Sequence, residues 1–311
     1  METKEKSKLK EPNELKEKST IIKYSNSFNE QKEFNKLTGK EQDLFFAIVA
    51  KLIEENTNRE KNPNNKNLGI VVKPQEVKKM VGLNKADKHR SNESLSKMLD
   101  RITDVVNGIK CTLRSIGRDP NTNEIIYTEN HQPLWVKSKD SIFADFKYGE
   151  NAPYVIVKLR DEAQNFFFAI AGGFTQFFLK NYISISSPHA KAIYRQLLNG
   201  SNALKKEWSP TKEELMDWLN IEKENTFKKF KKKLPDYIKQ IEKTGDFKGK
   251  IIYYYIYGKR KAITNIVFKY QLKDDRMKII QDIENSPAYN QDKMHPIYTR
   301  IVENGKVRKE A

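Results

Sequence analysis

The stretch "FKKFKKKLPDYIKQIEK", residues 227–243, decides how this chain is read. Five of the six positions from Lys228 to Lys233 are lysine, yet Phe227, Phe230, Leu234, Tyr237, Ile238 and Ile241 recur at the three-to-four spacing that seats one helix face against a core. At ~100° per residue, Phe227, Phe230 and Leu234 cluster on one side, while Asn225, Lys228, Lys229 and Lys232 point the opposite way. A buried stripe and a basic ridge share one rod. A recognition helix needs that division: one side locked to its domain, the other presenting cations and an amide to a groove lined by phosphates. The preceding "ENTF" is the end that enters the major groove in helix-turn-helix docking. Pro235 is expected to kink the rod or restart it, because proline removes a backbone donor and crowds the preceding turn.

The flanking sequence makes a module of it. Upstream lie two helical patterns, "SPHAKAIYRQLLNG" and "EELMDWLNI". Downstream, "KIIYYYIYGKRKAITNIVFKY" reads as two strands around a turn at Gly258, with Lys259, Arg260 and Lys261 at its tip. Helices followed by a basic hairpin are the order of a winged helix, and the tip is placed to clamp phosphates beside the groove. Lys231 and Lys233 complete the basic set on the helix, and Thr226 joins Asn225 at its leading end. Tyr253, Tyr254, Tyr255 and Tyr257 offer rings for stacking on unpaired bases, but a plain strand is the preferred reading.

The same order occurs earlier. "LTGKEQDLFFAIVAKLIEEN" has Thr38 and Glu41 at capping-box spacing ahead of an apolar face formed by Leu44, Phe45, Ile48, Val49 and Leu52. "PQEVKKMVGL" and "NESLSKMLDRITDVVNG" follow as helices, the second stopping at Gly108. "IKCTLRSIGRDPNTNEIIYTENHQPLWV" has alternating ends around a turn-rich middle, a hairpin signature. "QEVKKMVGL" also matches "EELMDWLNI" in pattern, which marks an internal repeat. The expected fold class is therefore α+β: two tandem winged-helix domains with flexible tails. Residues 1–34 read as a disordered lead, 35–165 as the first domain, 166–272 as the second, and 273–311 as a tail, with the link between the domains in the apolar region from Phe166 to Tyr182.

Composition agrees with two solvated modules. The chain has 311 residues, 37% hydrophobic and 32% charged, enough for two cores of ordinary size. A net charge of +17 favours a polyanionic partner, nucleic acid before an anionic membrane surface. The excess is local: residues 222–261 hold 13 Lys/Arg against 5 Asp/Glu, which is +8 of the total. The equivalent helix of the first domain carries Glu93, Lys97, Asp100 and Asp104 opposite its apolar stripe, a mixed face that phosphates would repel. Lys85, Lys88, Arg90 and Lys97 are candidates for backbone contacts there, beside His89, and an interface role such as self-association suits that domain better.

Cys111 is the single cysteine, which excludes internal disulfides and Cys-rich zinc sites and points to a reducing cytoplasm. The N-terminus has no apolar signal core, and "FFFAIAGGFTQFFL" falls short of the ~20 residues a membrane span needs. Enzymatic readings fail on spacing. His89, His131, His189 and His295 are far apart, so no His-x-His metal pair accompanies a tyrosine nucleophile, and none has Arg three positions on. "GDFKGK" is not a phosphate loop. No catalysis, metal or cofactor is expected, although scattered carboxylates leave a DNA-cleaving enzyme as a distant reading.

"FFLKNYISISSPHAKAIYRQLL", "SPTKEELMDWLNI", "FKKFKKKLPDYIKQIEK" and "YGKRKAITNIVFKY" resemble, in order and spacing, the C-terminal winged helix of the RepA/RepE-type replication initiators of iteron-bearing, theta-replicating plasmids. "FNKLTGKEQDLFFAIVAKLI" resembles that family's N-terminal winged helix. The resemblance implies a non-catalytic protein that binds double-stranded DNA at directly repeated iterons. It also implies dimerisation through the N-terminal domain, origin opening by monomers, recruitment of host replicative helicase machinery, and repression of its own promoter by dimers. By motif position Asn225, Thr226, Lys228, Lys229 and Lys232 would contact groove and phosphate, and Lys259, Arg260 and Lys261 would be the wing contacts. A winged-helix transcriptional regulator with no replication role is the alternative.

Overall fold

The computed structural model describes residues 21–29, 31–60, 69–73, 76, 88–116, 119, 122, 124–127, 131, 135–149, 154–160, 174–274 and 276–277. The expected helix at 74–83, and with it one half of the internal repeat, lies outside the described residues except for Glu76.

Strand β1 (Ile21–Ser25) opens the fold, followed by 3-10 turns at Asn26–Phe28 and Lys32–Lys36 and by helix α1 (Gly39–Glu60). The Thr38–Glu41 capping box forms: the Thr38 amide donates to Glu41 Oε2 at 2.7 Å, and the Glu41 amide to Thr38 Oγ1 at 3.4 Å. Every residue from Leu44 to Ala50 is buried, so α1 is wrapped on all sides. Strand β2 (Gly69–Val72) and helix α2 (Lys88–Gly108) follow, then the hairpin of β3 (Lys110–Ile116) with β4 (Trp135–Ser141). A second hairpin, β5 (Phe143–Tyr148) and β6 (Val155–Leu159), captures β2 in a sheet of order β2-β6-β5. Sequence reading found the first hairpin and missed the second.

The latter half begins with β7 (Phe174–Phe178) and a short helix α3 (Leu179–Ser184). Helices α4 (Pro188–Leu197) and α5 (Gly200–Lys205), strand β8 (Glu207–Trp208), helices α6 (Lys212–Trp218) and α7 (Glu224–Glu242), and the hairpin β9 (Ile252–Tyr257) with β10 (Ile263–Lys269) complete it. The sheet order β8-β10-β9, with α4, α6 and α7 as the three helices of the motif before the hairpin, is a winged helix.

Three expectations change. The lead read as disordered to residue 34 is ordered from Ile21: β1 pairs antiparallel with β7, and Tyr24 is wholly buried among Phe28, Phe46 and Phe177. Ile22, Tyr24, Phe28 and Phe34, all buried, could not be seen as core in a Lys/Glu-rich context, because partners such as Phe177 lie far along the chain. The apolar run expected to link the domains is, from Phe174 on, the strand that receives β1. The tail read from 273 starts with an anchor. Arg276 is buried, 3.2 Å from Asp246 Oδ1, donates to the Gln176 carbonyl at 2.9 Å, and covers the Phe178 ring.

Where the two halves meet, buried polar side chains pair beside the aromatic contacts of Phe46 with Phe177 and Tyr182. Lys191 Nζ is fully buried between Asp43 Oδ1 at 2.5 Å and the Tyr182 carbonyl at 2.6 Å. Arg195 donates to Gln42 Oε1 at 2.9 Å, to the Tyr182 hydroxyl at 2.6 Å and to Asn35 Oδ1, while Tyr182 donates to Gln42 at 2.6 Å. Burial pushes the Asp43 carboxyl up and the Lys191 ammonium down from their ordinary values, and the attraction between the two charges opposes both shifts. A Cβ on Gly39 would stand 2.5 Å from the Ser186 carbonyl, so glycine permits this close approach.

Candidate nucleic-acid interface

The module's first device is the turn that aims α7. Thr211 caps α6 in a capping box with Glu214, the two amides donating at 2.8 and 3.1 Å. The helix stops because Asn220 takes φ 55°, a left-handed conformation that asparagine tolerates better than most residues. That closes a bond from the Ile221 amide to the Met216 carbonyl at 2.7 Å. The turn is also held from outside: Asn220 Nδ2 donates to the Lys32 carbonyl and Asn35 Nδ2 to the Trp218 carbonyl, each at 2.8 Å, and Lys32 pairs with Asp217 at 2.7 Å. Sequence reading missed these residues, since their partners belong to the other half.

α7 then presents two unlike sides. Phe227, Phe230, Leu234, Tyr237, Ile238 and Ile241 are buried, and Asn225, Thr226, Lys228, Lys229, Lys232 and Lys233 are exposed. Among the described residues none of Lys228, Lys229, Lys232 and Lys233 forms an ion pair. Lys231 is the exception within the basic set: it is half-buried, with Nζ 4.8 Å from the Tyr255 ring, and ties the helix to the wing. The helix runs through Pro235 as one element instead of restarting there, clamped by the buried side chains on both sides of it. His189 packs between Phe230 and Tyr237, and burial lowers its basicity, so it is a packing residue.

The wing is packed against the module along one face and cationic where it ends. Tyr253 and Tyr255 face inward opposite Phe268 and Ile266, whereas Tyr254 and Tyr257 are 42% and 54% exposed. The tip closes through the Gly258 amide donating to the Ala262 carbonyl at 2.8 Å. Arg260 and Lys261 adopt φ of 62° and 57°, so the tip holds two side chains in a left-handed turn that costs roughly 1 kcal/mol each. Lys259, Arg260 and Lys261 are all exposed.

The first half brings less together. Lys97 is exposed on α2, the backbone at Lys88 and Arg90 lies in its first turn, and the side chains of those two and all of Lys85 are outside the described residues. Among the described residues no group of three or more His, Cys, Asp or Glu could hold a metal ion, and no helix is long and apolar enough to cross a membrane.

No curated protein matches the sequence. The fold is similar to the "Crystal structure of Pi initiator protein in complex with iteron DNA", with TM-score 0.50 and 14% identity, over 83% of this chain and 99% of that one. The family model described as "Initiator Replication protein, WH1" matches residues 21–198, beginning at the first residue of β1 and running through α4. That match spans more than half of the sequence, and the chain belongs to the initiator replication protein family.

Proposed function

We propose that this chain is a non-catalytic, cytoplasmic initiator of plasmid replication that binds double-stranded DNA at direct-repeat iterons. The observation that carries the reading is α7: its aromatic side is sealed into the module, and Lys228, Lys229, Lys232 and Lys233, without an ion pair among the described residues, stand exposed in the same module as a cationic wing tip. The first turn of α7, with Asn225 and Thr226, enters the major groove, Lys228, Lys229 and Lys232 hold phosphates, and Lys259, Arg260 and Lys261 grip the backbone alongside. Lys233 adds to the field, and Lys88, Arg90 and Lys97 contribute backbone contacts from the first half. The iteron complex of the Pi initiator, a fold neighbour, supports the choice of iterons over other duplex targets.

The first half also serves self-association. Val71 and Ile156 are register partners across β2 and β6, 58% and 45% exposed, an apolar pair on an outward sheet face. Monomers open the origin and recruit host replicative helicase machinery, and dimers repress the protein's own promoter.

The test is a titration of the full chain against duplexes carrying direct repeats from beside an A·T-rich stretch near its gene, with a shuffled duplex as control. Preference for the repeats, with opening of the adjacent stretch and no metal-dependent nicking of supercoiled DNA, is expected. Equal affinity for both duplexes, or preference only for a promoter palindrome, overturns the reading.

A further inference from the structure

Lysine binds phosphate at any sequence, and among bases its best partner is guanine. Other base patterns need other side chains, and the first turn of α7 presents three: Glu224, Asn225 and Thr226. Glu224 is the unexpected member. An exposed carboxylate on a surface that meets a polyanion weakens binding to every sequence unless it gains something at a particular one.

The surroundings of Glu224 show how it is held. Lys212, the first residue of α6, places Nζ 2.7 Å from Glu224 Oε2 and 5.2 Å from the Phe227 ring centroid. The Lys212 side chain is only 18% exposed, while that of Glu224 is 56% exposed. A half-buried, ring-seated cation therefore fixes one carboxylate oxygen and offsets the charge. The other oxygen, Oε1, has no protein partner among the described residues. An acceptor of fixed position, its rotamer already restricted by Lys212, is what a base edge with a donor requires.

We propose that Glu224 is a specificity-determining residue that accepts from the exocyclic N4 amine of a cytosine in the major groove, with Lys212 as its positioning residue. The proposal rests on the reading that α7 enters the groove, and it adds a base readout that the lysine ridge does not supply. Cytosine is the base whose major-groove edge offers a donor to a carboxylate without an adjacent ring acceptor to repel it.

The experiment is a selection of the full chain on duplexes with a randomised centre, followed by affinity measurements on single-position variants of the enriched motif. Wild type should enrich a motif containing a cytosine that Glu224→Ala no longer selects, with a drop in discrimination of roughly five- to a hundredfold at that position alone. Glu224→Gln should exchange the preference for adenine, because an amide matches adenine N6 and N7. Lys212→Met should relax the same position, a change that a merely structural role would not produce even if it lowered the melting temperature. An unchanged motif in Glu224→Ala, or uniformly tighter binding to all duplexes, would show that the carboxylate only repels, and the proposal falls while groove entry stands. If wild type enriches no motif, groove entry itself falls and takes the proposal with it.

Discussion

α2 and α7 hold the same place in their halves, each the helix that precedes a hairpin, and both bury an apolar stripe along their length. On α2 that stripe is Leu95, Leu99, Ile102 and Val106; on α7 it runs from Phe227 to Ile241. Their outer sides differ in what the charges do. On α2, Asp100 accepts from the Tyr148 hydroxyl at 2.8 Å, and Arg101 stands 3.3 Å from Glu41, so charge is used to hold the first half together. On α7, four lysines have no ion-pair partner among the described residues and remain available to a ligand. Similar scaffolds thus serve opposite ends, and the difference lies in whether cations are satisfied internally.

The comparison can be broken at the joint first. Asp43→Ala removes the counter-charge of the buried Lys191 and should cost about 3–5 kcal/mol, read as a lowered urea midpoint. Should stability barely change, the two halves are not held by this pair. Next comes the ridge. Replacing Lys228, Lys229 and Lys232 together by glutamine should reduce the salt dependence of DNA affinity by about three units of slope, whereas Lys97→Gln on α2 should change it by one at most. Equal losses from the two helices would erase the contrast.

Smaller effects sharpen it. Asn225→Ala should flatten discrimination at one base position by about 1–3 kcal/mol with little change on non-specific duplex, as measured on single-mismatch targets. Lys259→Gln at the wing tip should weaken binding to all sequences and lower the slope by about one unit. The smallest effect concerns His189, whose basicity is lowered by burial. Its folded form favours the neutral ring, so its contribution to stability is present above the ordinary imidazole pKa of ~6.5 and is lost as pH falls below it. The drop in melting temperature on acidification should therefore be shallower in His189→Gln than in wild type.

Much of this was legible in the residues themselves. The 3.6 period of residues 227–241, the Thr38–Glu41 cap and the turn at Gly258 are each set by neighbours a few positions apart, and each formed as read. Local spacing was enough because helices, caps and tight turns are closed by nearby backbone groups. The exposed side of the candidate site was legible for the same reason: Asn225, Thr226, Lys228, Lys229 and Lys232 stand exposed on one element, as their spacing predicts. Lys231 is less exposed than these because it lies over Tyr255 of the wing, a neighbour that helix periodicity does not reveal.

What only the tertiary structure decided is what distant segments do to one another. Ile21–Ser25 became a core strand because β7 supplied its hydrogen bonds, and Arg276 became an anchor because Asp246 and the Gln176 carbonyl met it. Lys191 and Arg195, two more cations in a basic sequence, were withdrawn from solvent because Asp43, Gln42 and Tyr182 compensate them. By itself the sequence determined which faces are apolar and where charge concentrates, since both follow from residue order along a helix. Which cations remain for a partner depends on three-dimensional neighbours, because an ion pair or a ring contact needs proximity that periodicity does not encode.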